Sequence, residues 1–303
     1  MLLVGIDLGG TAIKAGAISS EGKIVARREI PSALERGASD LLDRMAQLAR
    51  DLGAQSSVGM GVPGLVDIAG GRVLQSPNLA VIERVRLVAE LAQRLALPAS
   101  SVHLENDANA AAIGEHWLGC GRNERDLLFV TLGTGVGGGL ILDGGLYAGP
   151  GGMAGEIGHV VVDPDGPRCG CGSRGCLEQL ASASAASRRA QAAGLPRSAP
   201  GNLVRLAQEA RAAVGPEREL LVAIGRDLGR GLASAISILD LRCFVVGGGF
   251  GAALDVMLPG VREGIAERCY GERLASVRVA QAELGADAGW IGAARLGMLR
   301  SRA

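Results

Sequence analysis

Two stretches decide the fold: Leu2-Leu3-Val4-Gly5-Ile6-Asp7-Leu8-Gly9-Gly10-Thr11-Ala12-Ile13-Lys14-Ala15-Gly16-Ala17-Ile18, and Leu127-Leu128-Phe129-Val130-Thr131-Leu132-Gly133-Thr134-Gly135-Val136-Gly137-Gly138-Gly139-Leu140. Each reads as an apolar strand, a glycine turn and a returning strand. One glycine hairpin is common, but a matched pair opening both halves of a chain points to a duplicated α/β unit. Halves of this kind hold ligand in the crevice at the carboxyl ends of their strands.

Outward from the first stretch, the pattern predicts strands over 2–7, 13–18 and 23–30 and a helix over 39–52. A strand over 58–62, a helix over 83–95, a strand over 102–104 and a helix over 108–117 follow. Outward from the second, it predicts strands over 127–132, 137–142 and 146–148 and helices over 203–213 and 217–239. The strand 243–246 then runs into Gly247-Gly248-Gly249, followed by a helix over 252–268, a strand over 277–280 and a helix from 286. The expected division is a small domain of residues 1–117 plus 287–303 and a larger one of residues 118–286.

The 303 residues suit two domains, and 48% hydrophobic with 20% charged residues is a globular composition. A net charge of zero offers no electrostatic footprint for nucleic acid, and 2% aromatic residues argue against single-strand stacking platforms. The first residues lack a signal-peptide pattern, and no apolar run approaches the ~18 residues of a membrane span. A cytoplasmic protein without membrane partner is therefore expected. Only Lys14 and Lys23 are lysines, which singles out Lys14 beside the first glycine turn.

In that turn, Gly9 and Gly10 allow backbone amides close to a phosphate chain. Thr11 and Lys14 would add a hydroxyl and a charge, and Asp7 could orient a hydrated magnesium ion. An ordinary hairpin turn is the plainer reading of a diglycine alone. Gly133, Thr134 and Gly135 form the second candidate phosphate loop, and Gly247, Gly248 and Gly249 a candidate nucleoside contact that is equally a strand-to-helix turn. In Glu105-Asn106-Asp107-Ala108-Asn109, Asp107 stands where a helix begins. It reads as an N-cap or, with two phosphate loops in the chain, as a general base facing a substrate hydroxyl.

His159, Cys169, Cys171 and Cys176 supply four N/S ligands in a glycine-rich stretch, the set of a closed structural zinc site. Glu156 and Glu178 flank it, and carboxylates on a rigid loop suit sugar hydroxyls.

These motifs together resemble the ROK family of repressors and sugar kinases over essentially the whole chain. The resemblance rests on Asp7-x-Gly-Gly-Thr11, Gly61-x-Pro63-Gly64, Glu105-Asn106-Asp107-Ala-Asn, Leu132-Gly-Thr-Gly-Val-Gly-Gly-Gly139, and Glu156-x-Gly-His159 with Cys169-x-Cys171-x4-Cys176-x-Glu178. It implies an α/β fold of the actin-like, hexokinase type, with two duplicated α/β domains around a cleft. It implies ATP, Mg2+ and structural Zn2+, and phosphorylation of a hexose at its 6-hydroxyl. Asp107 is implied as catalytic base, Asn106, Glu156, His159 and Glu178 as sugar ligands, and Gly64 and Asn78 as members of the substrate pocket. His159 is implied to ligate zinc through one ring nitrogen and touch sugar through the other. Ala12 replaces a lysine common in the family, with Lys14 two residues on.

The family's repressors need an extra N-terminal DNA-binding domain, for which Asp7 is expected to leave no room. A silent sugar sensor would not need Asp107. Glucose is the expected substrate, N-acetylmannosamine, N-acetylglucosamine and fructose are the alternatives, and polyphosphate is an alternative donor. A homodimer or larger homo-oligomer is expected.

Overall fold

The computed structural model describes residues 2–76, 78–195 and 203–300. Strands β1 (Leu2–Leu8), β2 (Ala12–Ser19) and β3 (Ile24–Pro31) form an antiparallel meander, and helix α1 (Gly37–Asp51) packs behind it. Leu41, Leu42, Met45, Leu48 and Ala49 recur at helical spacing on α1 and lie buried in one cluster with Ile6, Ile13 and Val58. Strand β4 (Val58–Val62) runs parallel to β1. The hairpin β5 (Leu65–Asp67) and β6 (Arg72–Gln75) and helix α2 (Leu87–Leu95) precede β7 (Val102–Asn106), which pairs parallel with β4. The sheet order is β3-β2-β1-β4-β7.

Helix α3 (Asp107–Trp117) leads to the second half, where β8 (Leu127–Leu132), β9 (Val136–Leu142) and β10 (Gly145–Leu146) repeat the meander. The helices α4 (Leu177–Ala181), α5 (Ala183–Ala192), α6 (Leu203–Ala212) and α7 (Pro216–Leu239) come before β11 (Cys243–Gly247). Helices α8 (Leu254–Ala266) and α9 (Gly271–Leu274) come between β11 and β12 (Arg278–Gln281), and α10 (Ala288–Arg300) ends the described chain. The second order is β10-β9-β8-β11-β12, with β11 parallel to both β8 and β12. Three antiparallel strands followed by two parallel ones occur twice, so the duplication expected from the glycine hairpins is present in the topology.

Helix α10 returns to the first sheet. Gly5 and Gly59 face it, and a Cβ on either would overlap the carbonyls of Trp290 or Ala293. Helix α3 packs on α10 and also on β8 and β9, so it stands between the two sheets.

The structure departs from the sequence expectation at several places. The helix expected from 83 begins at Leu87, because Glu83 is extended and Arg84 is left-handed at φ 64°. The Glu83 side chain accepts the Ser76 N–H at 2.8 Å, holding that turn open. The hairpin β5–β6 and the short helices α4 and α5 carry no strong periodicity and were absent from the expectation. The strand expected over 102–104 continues to Asn106, and Asn106 rather than Asp107 caps α3: its Oδ1 accepts from the N–H of Ala108 and Asn109 at 2.8 and 3.1 Å.

Candidate active site and metal centre

A cleft of about 470 Å³ opens at the carboxyl ends of the central strands of both sheets. Asp7 lies near the end of β1 and Asp107 follows β7, while Thr131 and Gly247 close β8 and β11 on the opposite wall. Lys14, opposite Asp7 in the hairpin register, lines the same space, as do Gly248 and Gly249.

Both aspartates of the cleft have raised proton affinity. Burial pushes the Asp7 carboxyl up to about 7, Asp107 adds to the rise, and Lys14 opposes it. Asp107 is also raised, by burial first, against the pull of the Ala108 N–H, which its Oδ1 accepts at 2.9 Å. The Glu156 carboxylate adds to that rise, which places its field at Asp107. A carboxyl held half-protonated near neutrality is one that a divalent cation would ionise, so Asp7 suits a magnesium ligand.

Of the residues singled out in sequence, Gly9, Gly10 and Thr11 form the β1–β2 turn just beyond Asp7 and do not line this cleft. The Gly9 N–H donates to the Ala12 carbonyl, and the Ser32 hydroxyl donates to the Gly9 carbonyl at 2.5 Å. Asn78 is exposed beside Gly10, its carbonyl oxygen 3.4 Å from where a Gly10 Cβ would stand. Gly133 and Thr134 border a second hollow of about 350 Å³ with Leu203, Ala207, Arg211 and Phe250. Gly249 lines both spaces, so the glycine triplet joins them.

Asn106 has a second bond: its Nδ2 donates to the Gly64 carbonyl at 3.1 Å. Gly64 sits at φ 105°, and a Cβ there would overlap the Gln75 carbonyl. Gly64→Ala is expected to destabilise the fold by about 1–3 kcal/mol, because the added Cβ is strained at this φ and Asn106 loses its seat. Thermal unfolding of the variant checks this. Glu105, buried on β7, accepts from Asn109 Nδ2 at 3.0 Å and from the Asn106 N–H at 3.1 Å. Sequence reasoning missed this internal brace, although its i, i+4 spacing across the strand–helix junction signals it.

The zinc-type ligands converge. One ligand atom from each of His159, Cys169, Cys171 and Cys176 lies within 4.8 Å of the others. Cys169 Sγ is 3.7 Å from His159 Nδ1, and the sulfurs of Cys171 and Cys176 are 3.6 Å apart. Ligands 2.0–2.3 Å from zinc in a tetrahedron stand about 3.5–3.8 Å apart, so the donors fit that ion. Burial and the neighbouring thiols push Cys176 up to about 12, a cost that a bound cation would remove by taking the thiolate.

His159 turns its other face outward. Its Nε2 is 3.9 Å from Glu156 Oε2, so the ring bridges the thiol cluster and a carboxylate whose charge is felt at Asp107. Glu178 accepts the Val136 N–H at 3.3 Å, and Gln179 Nε2 lies 3.4 Å from its other oxygen and 3.9 Å from Cys169 Sγ. The metal centre, the Glu156 and Glu178 carboxylates and the second glycine hairpin are thus tied together.

A family model described as the ROK family matches residues 3–298. The chain is 35% identical over 309 residues to a glucokinase of Thermotoga maritima, covering 97% of this chain and 96% of that protein. It is 36% identical over 259 residues to an N-acetylmannosamine kinase of Escherichia coli, covering 84% of each. Among solved structures, a ROK family glucokinase from Streptomyces griseus in complex with glucose and AMPPNP superposes with TM-score 0.82 at 35% identity, covering 99% of this chain and 100% of that one.

Proposed function

The chain belongs to the ROK family and has the actin-like ATPase fold of its hexokinases, and from that premise we propose that it phosphorylates glucose at the 6-hydroxyl with ATP as donor. The observation that carries this reading is Asp107: a carboxyl of raised proton affinity in the cleft, next to Asp7 and in the field of Glu156.

In this reading Asp107 takes the proton of the attacking hydroxyl as the phosphoryl group transfers. The rest of the site positions and neutralises charge, as phosphoryl transfer requires. Asp7 would hold a hydrated magnesium ion, which supplies neutralisation of the donor phosphates. Lys14 faces the phosphate chain, the turns Gly9–Thr11 and Gly133–Gly135 would meet it only as the halves close, and Gly247–Gly249 lets the nucleoside approach backbone. Asn106, Glu156, His159 and Glu178, with Gly64 and Asn78 nearby, hold the sugar. Zinc on His159, Cys169, Cys171 and Cys176 would fix that loop and assign the tautomer of His159, leaving Nε2 for a sugar hydroxyl. Residues 1–117 with 287–303 and residues 118–286 act as two units that close over substrate and exclude water, a competing acceptor.

The test is a comparison of kcat/KM for glucose, N-acetylmannosamine, N-acetylglucosamine and fructose with magnesium and ATP. Glucose is expected to lead. A preference for an acetylated sugar replaces glucose but keeps the kinase, and the resemblance to an N-acetylmannosamine kinase makes this the second reading. Failure of every sugar, with polyphosphate as well as ATP, leaves a sugar sensor. Cys171→Ser is expected to lose the metal and raise the glucose KM about 10–100-fold, read by elemental analysis and titration. A metal-free, fully active variant overturns the role given to zinc.

Six free cysteines, half of them in the metal set, suit a reducing cytoplasm. Among the described residues no helix is long and apolar enough to cross a membrane. We assign the protein to the cytoplasm and to a homodimer or larger assembly.

A further inference from the structure

Glu115 sits in the last turn of α3, where the negative end of the helix disfavours a carboxylate, and it is fully buried. Its oxygens are occupied. Oε1 accepts the Leu284 N–H at 2.7 Å, and Oε2 accepts the N–H of Glu283 at 3.2 Å and of Cys120 at 3.1 Å. The chain crosses between the two sheets at two places: after α3, and between β12 and α10. Cys120 belongs to the first crossing, Glu283 and Leu284 to the second. One side chain therefore holds both.

The surroundings are built to the same end. Gly119 has no room for a Cβ, which would overlap Glu115 Oε2. Arg122 Nη1 donates to Glu283 Oε2 at 3.0 Å and to the Gly119 carbonyl at 3.1 Å, a second tie between the crossings. Arg278 donates to the Cys120 carbonyl from both terminal nitrogens at 3.3 Å. Leu118 and Leu284, one from each crossing, pack on the same cluster with Trp290 and Ile291. The other end of α3 is Asp107, eight residues and about 12 Å away along a straight helix.

Resting on the kinase reading above, we propose that Glu115 is a positioning residue for phosphoryl transfer: its carboxylate is the pivot about which the two halves close, and α3 carries that pivot rigidly to the base Asp107. Local helix packing does not require a buried carboxylate at a helix C-terminus. Binding three N–H groups from both crossings does.

The test uses the full-length protein and the variant Glu115→Gln, which keeps shape but replaces one accepting oxygen by an NH2 facing backbone donors. The KM for glucose is expected to rise roughly 5–100-fold, the range set by leaving buried donors unpaired. The ratio of glucose phosphorylation to sugar-independent ATP hydrolysis is expected to fall. Neither quantity depends on the folded fraction, so a merely structural role moves neither. The chain's two tryptophans, Trp117 and Trp290, flank the pivot, and the glucose-dependent change in their emission is expected to shift to higher glucose by the same factor. A wild-type KM and ratio in Glu115→Gln overturns the pivot.

If that variant does not fold, amide hydrogen exchange on the wild-type protein, with and without glucose and AMPPNP, decides. The amides of Cys120, Glu283 and Leu284 are expected to be protected together in both states. Fast, independent exchange at Cys120 overturns the proposal. Absence of any hexose turnover in the wild type sinks the kinase reading instead, and the exchange measurement still settles the pivot.

Discussion

Asp107→Asn is expected to fold, bind hexose and nucleotide, and turn over roughly 10²–10⁴-fold more slowly. The structure makes this substitution cleaner than the sequence suggested. Had Asp107 been the cap of α3, its removal would mix helix stability with chemistry. Asn106 holds that cap, and the hydrogen bond that Asp107 accepts from the Ala108 N–H can be kept by the Asn oxygen. The variant removes a buried charge rather than a support, so thermal stability is expected to hold or rise. Because burial and Glu156 raise Asp107, the kcat/KM of the parent is expected to climb with pH from the acid side and level off once the carboxyl is ionised. Near-normal turnover in Asp107→Asn overturns the assignment of the base, and unchanged Tm with lost turnover supports it.

Asp7→Asn is expected to cost about 10³-fold in turnover, the several kcal/mol attributed to a positioned metal ion. It also carries a stability signature of opposite sign. The Asp7 carboxyl is at about 7 in the folded protein, against an ordinary value of 3.8. Between those values the folded chain holds a proton that the unfolded chain has released. Stability of the ligand-free parent therefore falls as pH rises through about 4 to 7, and stays low above it. Asn has no proton to lose, so Asp7→Asn is expected to be more stable than the parent at pH 8 by roughly 2–4 kcal/mol and nearly equal to it at pH 4. Melting curves across pH for both proteins check the sign. Magnesium with nucleotide is expected to raise the parent's Tm above pH 7 much more than the variant's. An inactive protein less stable than the parent at every pH overturns this account of Asp7.

Both predictions depend on where backbone ends and side chains point, and the sequence revealed that unevenly. The glycine hairpins at 9–11 and 133–135 were legible because a turn between two apolar runs needs residues that close it at low steric cost. The metal set was legible because His159 and the three cysteines lie close along the chain, where loop closure costs little. The hairpin β5–β6 was not legible, since three or four residues of mixed polarity have no period to read. Nor was the late start of the helix at Leu87, which depends on a left-handed Arg84 and on Glu83 reaching back to Ser76.

Glu115 marks the limit. In sequence it is one acidic residue among helical neighbours, and nothing in the local pattern singles it out. Its partners are Cys120, five residues on, and Glu283 and Leu284, more than 160 residues away. Only closure of the second sheet and the return of α10 bring the two crossings to one carboxylate.

What the sequence by itself determined is the repeated strand–turn–strand plan, the strand-end aspartates and the four side chains of the candidate metal site, because each is written in local pattern and local chemistry. The tertiary structure alone decided which residue caps α3, that Asp7 and Asp107 share one cleft, that His159 spans from thiols to Glu156, and that one buried carboxylate joins both crossings. Those facts are distances between residues far apart in the chain, and packing sets them: a residue's proton affinity and partners are properties of its surroundings, which exist only after the halves have folded against each other.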